Sequence, residues 1–231
     1  DAISLGVGEP DFDTPWHIRE EGIHSLEKGR TFYSSNAGLM ELREEVSRKV
    51  ESQHGISYNA KNEVMITVGG SEAIDLAMRV ILLPGDEVLI PEPCYVSYLP
   101  CARMAYGVPV PIPLEEKDEF RLTAEKLEAA ITEKSKLLIL PFPNNPTGSI
   151  MEKEDLEAIV PLILKHNLYV LTDEIYASLS YKGKHHSIIE FPGMRERTVY
   201  INGFSKAYAM TGWRLGYACA EERILKQMLK L

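Results

Sequence analysis

The chain is short of cysteine, short of positive charge, and has no apolar run long enough to cross a bilayer. Its three cysteines, Cys94, Cys101 and Cys219, leave one unpaired under any disulfide scheme and lack metal-ligand spacing. Reduced thiols in a cytoplasmic protein are the simplest account, and no metal site is expected. Lys and Arg number 25 against 34 Asp and Glu, for a net charge of −9, which argues against nucleic acid as a partner. The first residues do not read as a signal peptide. No repeat, low-complexity tract or Gly/Ser linker breaks the chain. Histidine offers no metal set either. His185-His186 follows Lys182-Gly183-Lys184 and reads as a solvated loop without a third ligand, while His17 and His24 read as the surface of an early helix. Glu115 to Glu119 reads as a charged turn.

What is present is a regular alternation. Short apolar, β-branched runs fall at Val64 to Val68, Glu87 to Ile90, Val108 to Ile112, Leu137 to Pro141, Leu168 to Thr172, Thr198 to Ile201 and Leu215 to Ala218. Amphipathic stretches lie between them. In Asp155 to His166 the set Leu156, Ile159, Val160, Ile163 and Leu164 keeps the 3.6-residue period of a helix, and Leu39, Leu42, Val46 and Val50 form another such stripe. Strands that are apolar throughout, alternating with helices, predict an α/β fold: a mostly parallel seven-stranded sheet with helices on both faces. With 45% hydrophobic residues the chain can bury one good core. Ligands in such sheets bind beyond the carboxyl ends of the strands.

The motifs sit at those ends. Gly69-Gly70-Ser71-Glu72-Ala73 follows the first strand and opens a helix, so free backbone N–H groups and the helix dipole offer an anion site; a tight turn with an N-cap has the same sequence. Pro143-Asn144-Asn145-Pro146-Thr147-Gly148 follows the fourth strand and, taken alone, is equally a plain Pro/Gly turn. Thr172-Asp173-Glu174-Ile175-Tyr176 follows the fifth, where an acidic pair can simply cap a helix. The most informative run is Asn202-Gly203-Phe204-Ser205-Lys206-Ala207-Tyr208-Ala209-Met210-Thr211-Gly212-Trp213-Arg214-Leu215-Gly216. It sets a lysine between a serine and an arginine, with glycines where backbone must come close. A lysine that forms a Schiff base with pyridoxal phosphate needs such neighbours, because hydroxyl and guanidinium can hold the phosphate while the amine meets the aldehyde.

That run resembles the lysine signature of class I and II pyridoxal-phosphate-dependent aminotransferases, the aspartate aminotransferase superfamily of fold type I, and the other motifs resemble that family in the family's order. The resemblance implies phosphate contacts from Gly70, Ser71 and Glu72, mainly by main chain, and from Ser205 and Arg214. It implies a Schiff base at Lys206 and an Asn145 amide that reaches the cofactor's phenolic oxygen and supports the substrate carboxylate. It makes Asp173 the partner of the protonated ring nitrogen and Tyr176 a second contact to the phenolic oxygen. Tyr95 falls where the family stacks an aromatic ring on the cofactor, with Tyr98 its rival. Tyr33, in Tyr33-Ser34-Ser35-Asn36-Ala37-Gly38, matches a tyrosine that reaches the partner subunit's phosphate across a homodimer. Leu5-Gly6-Val7-Gly8-Glu9-Pro10-Asp11-Phe12-Asp13-Thr14-Pro15 resembles the family's opening, which places the Gly8 backbone beside the substrate carboxylate. Cis bonds are expected at Asn145-Pro146 and Glu92-Pro93.

By the same resemblance, residues 1–40 form an N-terminal segment near the dimer interface and substrate site, and residues 41–231 a large cofactor-binding domain. The family's small domain, with its carboxylate-binding arginine, has no counterpart here. Neither Asp1-Ala2-Ile3-Ser4-Leu5, which reads as extended, nor Leu231, within a helix begun near Glu221, reads as a natural terminus. The implied activity is transfer of an amino group from an L-amino acid to a 2-oxo acid in two ping-pong half-reactions. Same-fold alternatives are a carbon–sulfur β-lyase, a decarboxylating or cyclising enzyme, a catalytically dead relative, and a cofactor-sensing domain of a transcription regulator. No helix-turn-helix arm for the last precedes the first motif in this sequence.

Overall fold

The computed structural model describes residue 6, residues 8–181 and residues 183–231. The extended reading of residues 1–5, and Leu5 and Val7 of the opening motif, lie outside the described residues. Seven strands are found where the apolar runs predict them: β1 (Val64–Thr67), β2 (Glu87–Glu92), β3 (Val108–Pro113), β4 (Ser135–Leu140), β5 (Tyr169–Asp173), β6 (Thr198–Gly203) and β7 (Gly216–Cys219). They form one sheet in the order β1-β7-β6-β5-β4-β2-β3. Pairings among β2, β3, β4, β5 and β6 are parallel, whereas β7 runs antiparallel to both β1 and β6.

Because successive side chains of a strand point to opposite faces, each apolar strand serves two cores. Val88, Ile90, Leu137, Ile139, Leu171, Val199 and Ile201 face one cluster, closed by α3 (Gly69–Ile81), α4 (Tyr98–Met104) and α7 (Glu222–Met228). Leu89, Leu138, Leu140, Val170, Tyr200 and Tyr217 face the other, closed by α2 (Met40–His54), α5 (Ala124–Ala130) and α6 (Lys153–Lys165). The apolar period of α6 lands as its spacing requires: Leu156, Ile159 and Ile163 are buried. Its start is fixed by a capping box, in which Glu152 and Asp155 satisfy each other's backbone N–H groups. The first helix, α1 (Trp16–Glu27), buries no residue, and His17 and His24 lie on its exposed surface as the sequence suggests.

One contact between β7 and α3 shapes the region where the motifs meet. A Cβ on Gly216 would lie 2.5 Å from the Gly69 carbonyl carbon and 2.6 Å from the Gly70 nitrogen, so only glycine lets β7 reach the start of α3. Gly69 itself adopts φ +73, and a Cβ there would meet the Arg214 guanidinium at 2.5 Å. Gly216→Ala forces backbone apart at a packed junction, which costs about 1–3 kcal/mol. Urea unfolding monitored by circular dichroism is expected to show that loss of stability; an unchanged midpoint would contradict the contact.

Candidate active site

The carboxyl ends of β4, β5 and β6 and the start of α3 surround a cavity of about 290 Å³. Ten of the residues singled out from the sequence line it: Gly8, Gly70, Ser71, Tyr95, Asn145, Asp173, Tyr176, Ser205, Lys206 and Arg214. Two do not. The Glu72 carboxylate turns back to accept from the Val68 N–H at 2.5 Å and so closes the end of α3. Tyr33 projects fully into solvent on the loop before α2.

Two ends of the cavity differ in charge. At one, α3 presents the backbone of Gly70 and Ser71, and free N–H groups of a helix's first turn carry partial positive charge. Ser205 and Arg214 join them, the arginine held by a bond from Nη1 to the Thr211 carbonyl at 3.0 Å and lying against Gly69. Arg214 takes φ +54, a left-handed conformation that turns the chain from the short 3-10 turn Thr211–Trp213 into β7. At the other end lies Asp173. It is buried, and its Oδ2 accepts from the Tyr98 hydroxyl at 2.8 Å and its Oδ1 from the Ile175 N–H at 3.2 Å. Among the described residues no cation pairs with it. Burial pushes its carboxyl above the ordinary range, while the Tyr98 and Ile175 hydrogen bonds pull the other way.

Between these groups, Asn145 Nδ2 lies 3.4 Å from the Tyr176 hydroxyl, so amide and phenol converge on one point. Burial, with the Asp173 charge next, raises the Tyr176 phenol above its usual range, and the Asn145 bond opposes this. The Lys206 ammonium sits 5.7 Å from the centre of the Tyr176 ring and donates to the Gly8 carbonyl. The N-terminal segment is pinned over the lysine loop by further bonds: Thr14 Oγ1 to the Ala209 carbonyl at 2.5 Å, Trp213 Nε1 to Thr14 Oγ1 at 3.2 Å, and Thr211 Oγ1 to Glu9 at 3.1 Å. The expected cis bonds at Glu92-Pro93 and Asn145-Pro146 are present, and Phe142-Pro143 is also cis.

Sequence reasoning missed three features. Tyr98 is a hydrogen-bond partner of Asp173, and its ring meets Tyr95 edge-on at 5.8 Å. Glu9 and Thr211 line the cavity. The third is a correction, since the His185-His186 loop is not solvated. His185 Nε2 lies 2.7 Å from Glu174 Oε2, and the buried Glu174 carboxylate also accepts from Thr172 and Ser187 hydroxyls at 3.0 and 2.5 Å. Beside it Glu190 receives His54 at 2.7 Å and His186 at 3.1 Å. A charge left alone at Glu174 would be costly, so the chain folds its own histidine back onto it. No group of three or more His, Cys, Asp or Glu able to hold a metal occurs among the described residues.

The residues present fit pyridoxal phosphate. A dianion is matched by a helix N-terminus, a hydroxyl and a guanidinium; a cationic ring nitrogen is matched by a buried carboxylate without a cation; an aldehyde is matched by a lysine lining the same cavity. A cofactor site of this kind, at the strand ends of an α/β sheet, defines the class. The chain belongs to the aminotransferase class I and II family, whose model matches residues 1–231. It is similar to aromatic-amino-acid aminotransferase 2 of Thermococcus litoralis, at 47% identity over 99% of this chain and 59% of that protein. It is equally similar to an aspartate aminotransferase of Pyrococcus abyssi, at 47% identity over 100% of this chain and 59% of the relative. The crystal structure of an aromatic aminotransferase from Pyrococcus horikoshii superposes with a TM-score of 0.97 at 46% identity, over 99% of this chain and 61% of that one. The chain thus spans about three-fifths of the length of the relatives it matches.

The His185–Glu174 pair carries a pH signature. Burial works against a charged His185, but the Glu174 carboxylate outweighs it and raises the imidazole above its usual range. A raised folded-state value means the stabilisation is complete below about pH 6.5, the ordinary histidine value, and fades as pH climbs through the folded value. The stability gap between wild type and His185→Gln, read from urea midpoints at pH 6 to 9, is expected to shrink as pH rises; a constant gap would contradict the pairing.

Proposed function

We propose that this protein is a pyridoxal-phosphate-dependent aminotransferase, moving an amino group from an L-amino acid to a 2-oxo acid in two ping-pong half-reactions. The observation that carries the proposal is the buried Asp173, without a cation partner among the described residues, in one cavity with Lys206 and Arg214. When bound, the cofactor supplies an aldehyde for amine exchange and a ring that accepts electrons from the substrate α-carbon.

The protein's residues do the rest. Gly70 and Ser71 at the start of α3, with Ser205 and Arg214, grip the phosphate; Glu72 supports them by closing the helix end. Asp173 holds a proton on the ring nitrogen. At about 4 Å and an effective dielectric near 20 a carboxylate stabilises a cation by about 4 kcal/mol, which favours electron flow into the ring. Tyr95, half-open to the cavity, covers the ring face. Asn145 and Tyr176, which converge on one point, would both contact the cofactor's phenolic oxygen and tune its basicity. Lys206, the amine in the cavity, would hold the cofactor's aldehyde, and as a base it would move the substrate α-proton, a contribution of about 10²–10⁴-fold. The Gly8 backbone and Asn145 amide face the substrate carboxylate.

A second cavity of about 510 Å³ shares Gly8, Asn145 and Tyr176 with the first and leads on to Leu179 and Tyr181, which gives a substrate side chain a path outward. The printed names of the relatives divide between aromatic amino acids and aspartate, so both classes are the donors to try. Residues 1–40 form the interface segment of a homodimer and residues 41–231 the cofactor domain. Phe12, Trp16, Phe32 and Tyr33 are exposed in that segment, which suits a partner surface, with Tyr33 reaching the other subunit's phosphate. Free thiols at Cys94, Cys101 and Cys219 suit a reducing cytoplasm. No helix among the described residues is long and apolar enough to cross a membrane.

The purified protein is expected to absorb as an imine when given pyridoxal phosphate, and borohydride is expected to fix the cofactor covalently in wild type but not in Lys206→Ala. Asp173→Asn is expected to slow the half-reaction with an amino acid about 10³-fold, the rate equivalent of about 4 kcal/mol. Failure of the wild type to take up pyridoxal phosphate would overturn the proposal.

A further inference from the structure

Among the residues that line the active-site cavity, the proposed chemistry leaves one buried phenol without a task. Tyr98 opens α4, is 3% exposed, and points its hydroxyl at Asp173 across 75 positions of sequence. A buried carboxylate that faces an open cavity has two ways to avoid the cost of its charge: pick up a proton, or turn aside to a better donor. Either would spoil it as the partner of a cationic ring nitrogen. Asp173 has no cation of its own among the described residues and only two donors, the Ile175 amide on Oδ1 and Tyr98 on Oδ2. The amide belongs to the same turn and moves with it. Tyr98 comes from a different element, so of the two donors it alone ties the carboxylate to α4.

We infer that Tyr98 is a positioning residue: its hydroxyl holds Asp173 ionised and aimed before the cofactor arrives, and keeps the ring proton on nitrogen rather than on the carboxylate afterwards. Three observations fit. The bond, at 2.8 Å, is buried at both ends, where a hydrogen bond to a charged group is strongest. Burial, and then the Asp173 charge, push the Tyr98 phenol well above its ordinary range, so it stays a donor throughout the working pH range. The Tyr95 ring meets Tyr98 edge-on, at 78°, which leaves Tyr95 to cover the ring and Tyr98 to serve the carboxylate. A donated hydrogen bond lowers a carboxylate's proton affinity, so the proton between Asp173 and a pyridine nitrogen stays on the nitrogen.

The inference rests on the cofactor reading for its second half only, and the test separates the two. Tyr98→Phe removes one oxygen from a packed ring. In the protein freed of cofactor, infrared difference spectra across a pH titration report the protonated carboxyl band of Asp173, identified by its loss in Asp173→Asn. Tyr98→Phe is expected to raise the titration of that band by about one pH unit, a tenfold change in ionisation. Site-specific fluorotyrosine at position 98, a stronger donor, is expected to lower it, which keeps the test open if Tyr98→Phe folds poorly. In the second arm, Tyr98→Phe is expected to weaken pyridoxal phosphate about tenfold while leaving its ring-carbon analogue, 1-deaza-pyridoxal phosphate, unaffected. Identical titrations in wild type and both variants would overturn the inference, as would equal losses for the two ligands. If the wild type binds neither ligand, the proposed function fails while the carboxyl titration still decides the role of Tyr98.

Discussion

The site depends on a charge that the fold buries without pairing. Asp173 ends β5 in the middle of the sheet, where β4 and β6 flank it, and its carboxylate receives hydrogen bonds but, among the described residues, no cation. Such a group is destabilising unless something positive completes it. Its neighbour Glu174 shows the contrast. One residue further along, pointing to the other face of the sheet, the chain supplies its own histidine and two hydroxyls. The structure therefore satisfies one member of an adjacent acidic pair internally and sets the other at the wall of the cavity.

The sheet makes that asymmetry possible. Strands apolar on both faces need helices on both sides, and the crossovers that supply them put the carboxyl ends of β1 to β6, which all run the same way, at one rim. The α3 start, the Asn145 turn, the Asp173 turn and the Lys206 loop are four such places. The antiparallel β7 adds the last element: it returns from the lysine loop and, through Gly216 against Gly69 and Gly70, delivers Arg214 to the start of α3. The proposed phosphate grip thus draws on residues well separated in sequence, brought together by one backbone contact that tolerates no side chain.

Much of this was legible in the sequence. Each strand announced itself as an apolar run bounded by turn residues, and the motifs named most of the residues that line the cavity. The direction of β7 was not readable, because a short apolar run is the same in either sense. Tyr98 was read as a rival stacking ring, since spacing along a chain says that two tyrosines are near a turn but not which one faces a carboxylate 75 positions away. His185 was read as solvated for a related reason. Lysines and a glycine around it look like a surface loop, and only the folded chain brings Glu174 beneath it. Glu72 stood inside a phosphate motif, yet its carboxylate closes the helix end, because an acid in the first turn of a helix finds the nearest free N–H before any ligand does.

The central claim is that Asp173 is kept for a cation, and nitrogen-15 NMR of the protein loaded with ring-labelled pyridoxal phosphate tests it most directly. A ring nitrogen that resonates as a pyridinium from pH 6 to 9 in wild type, and as a neutral pyridine in Asp173→Asn, is the predicted result. A neutral ring nitrogen in the wild type would contradict the account.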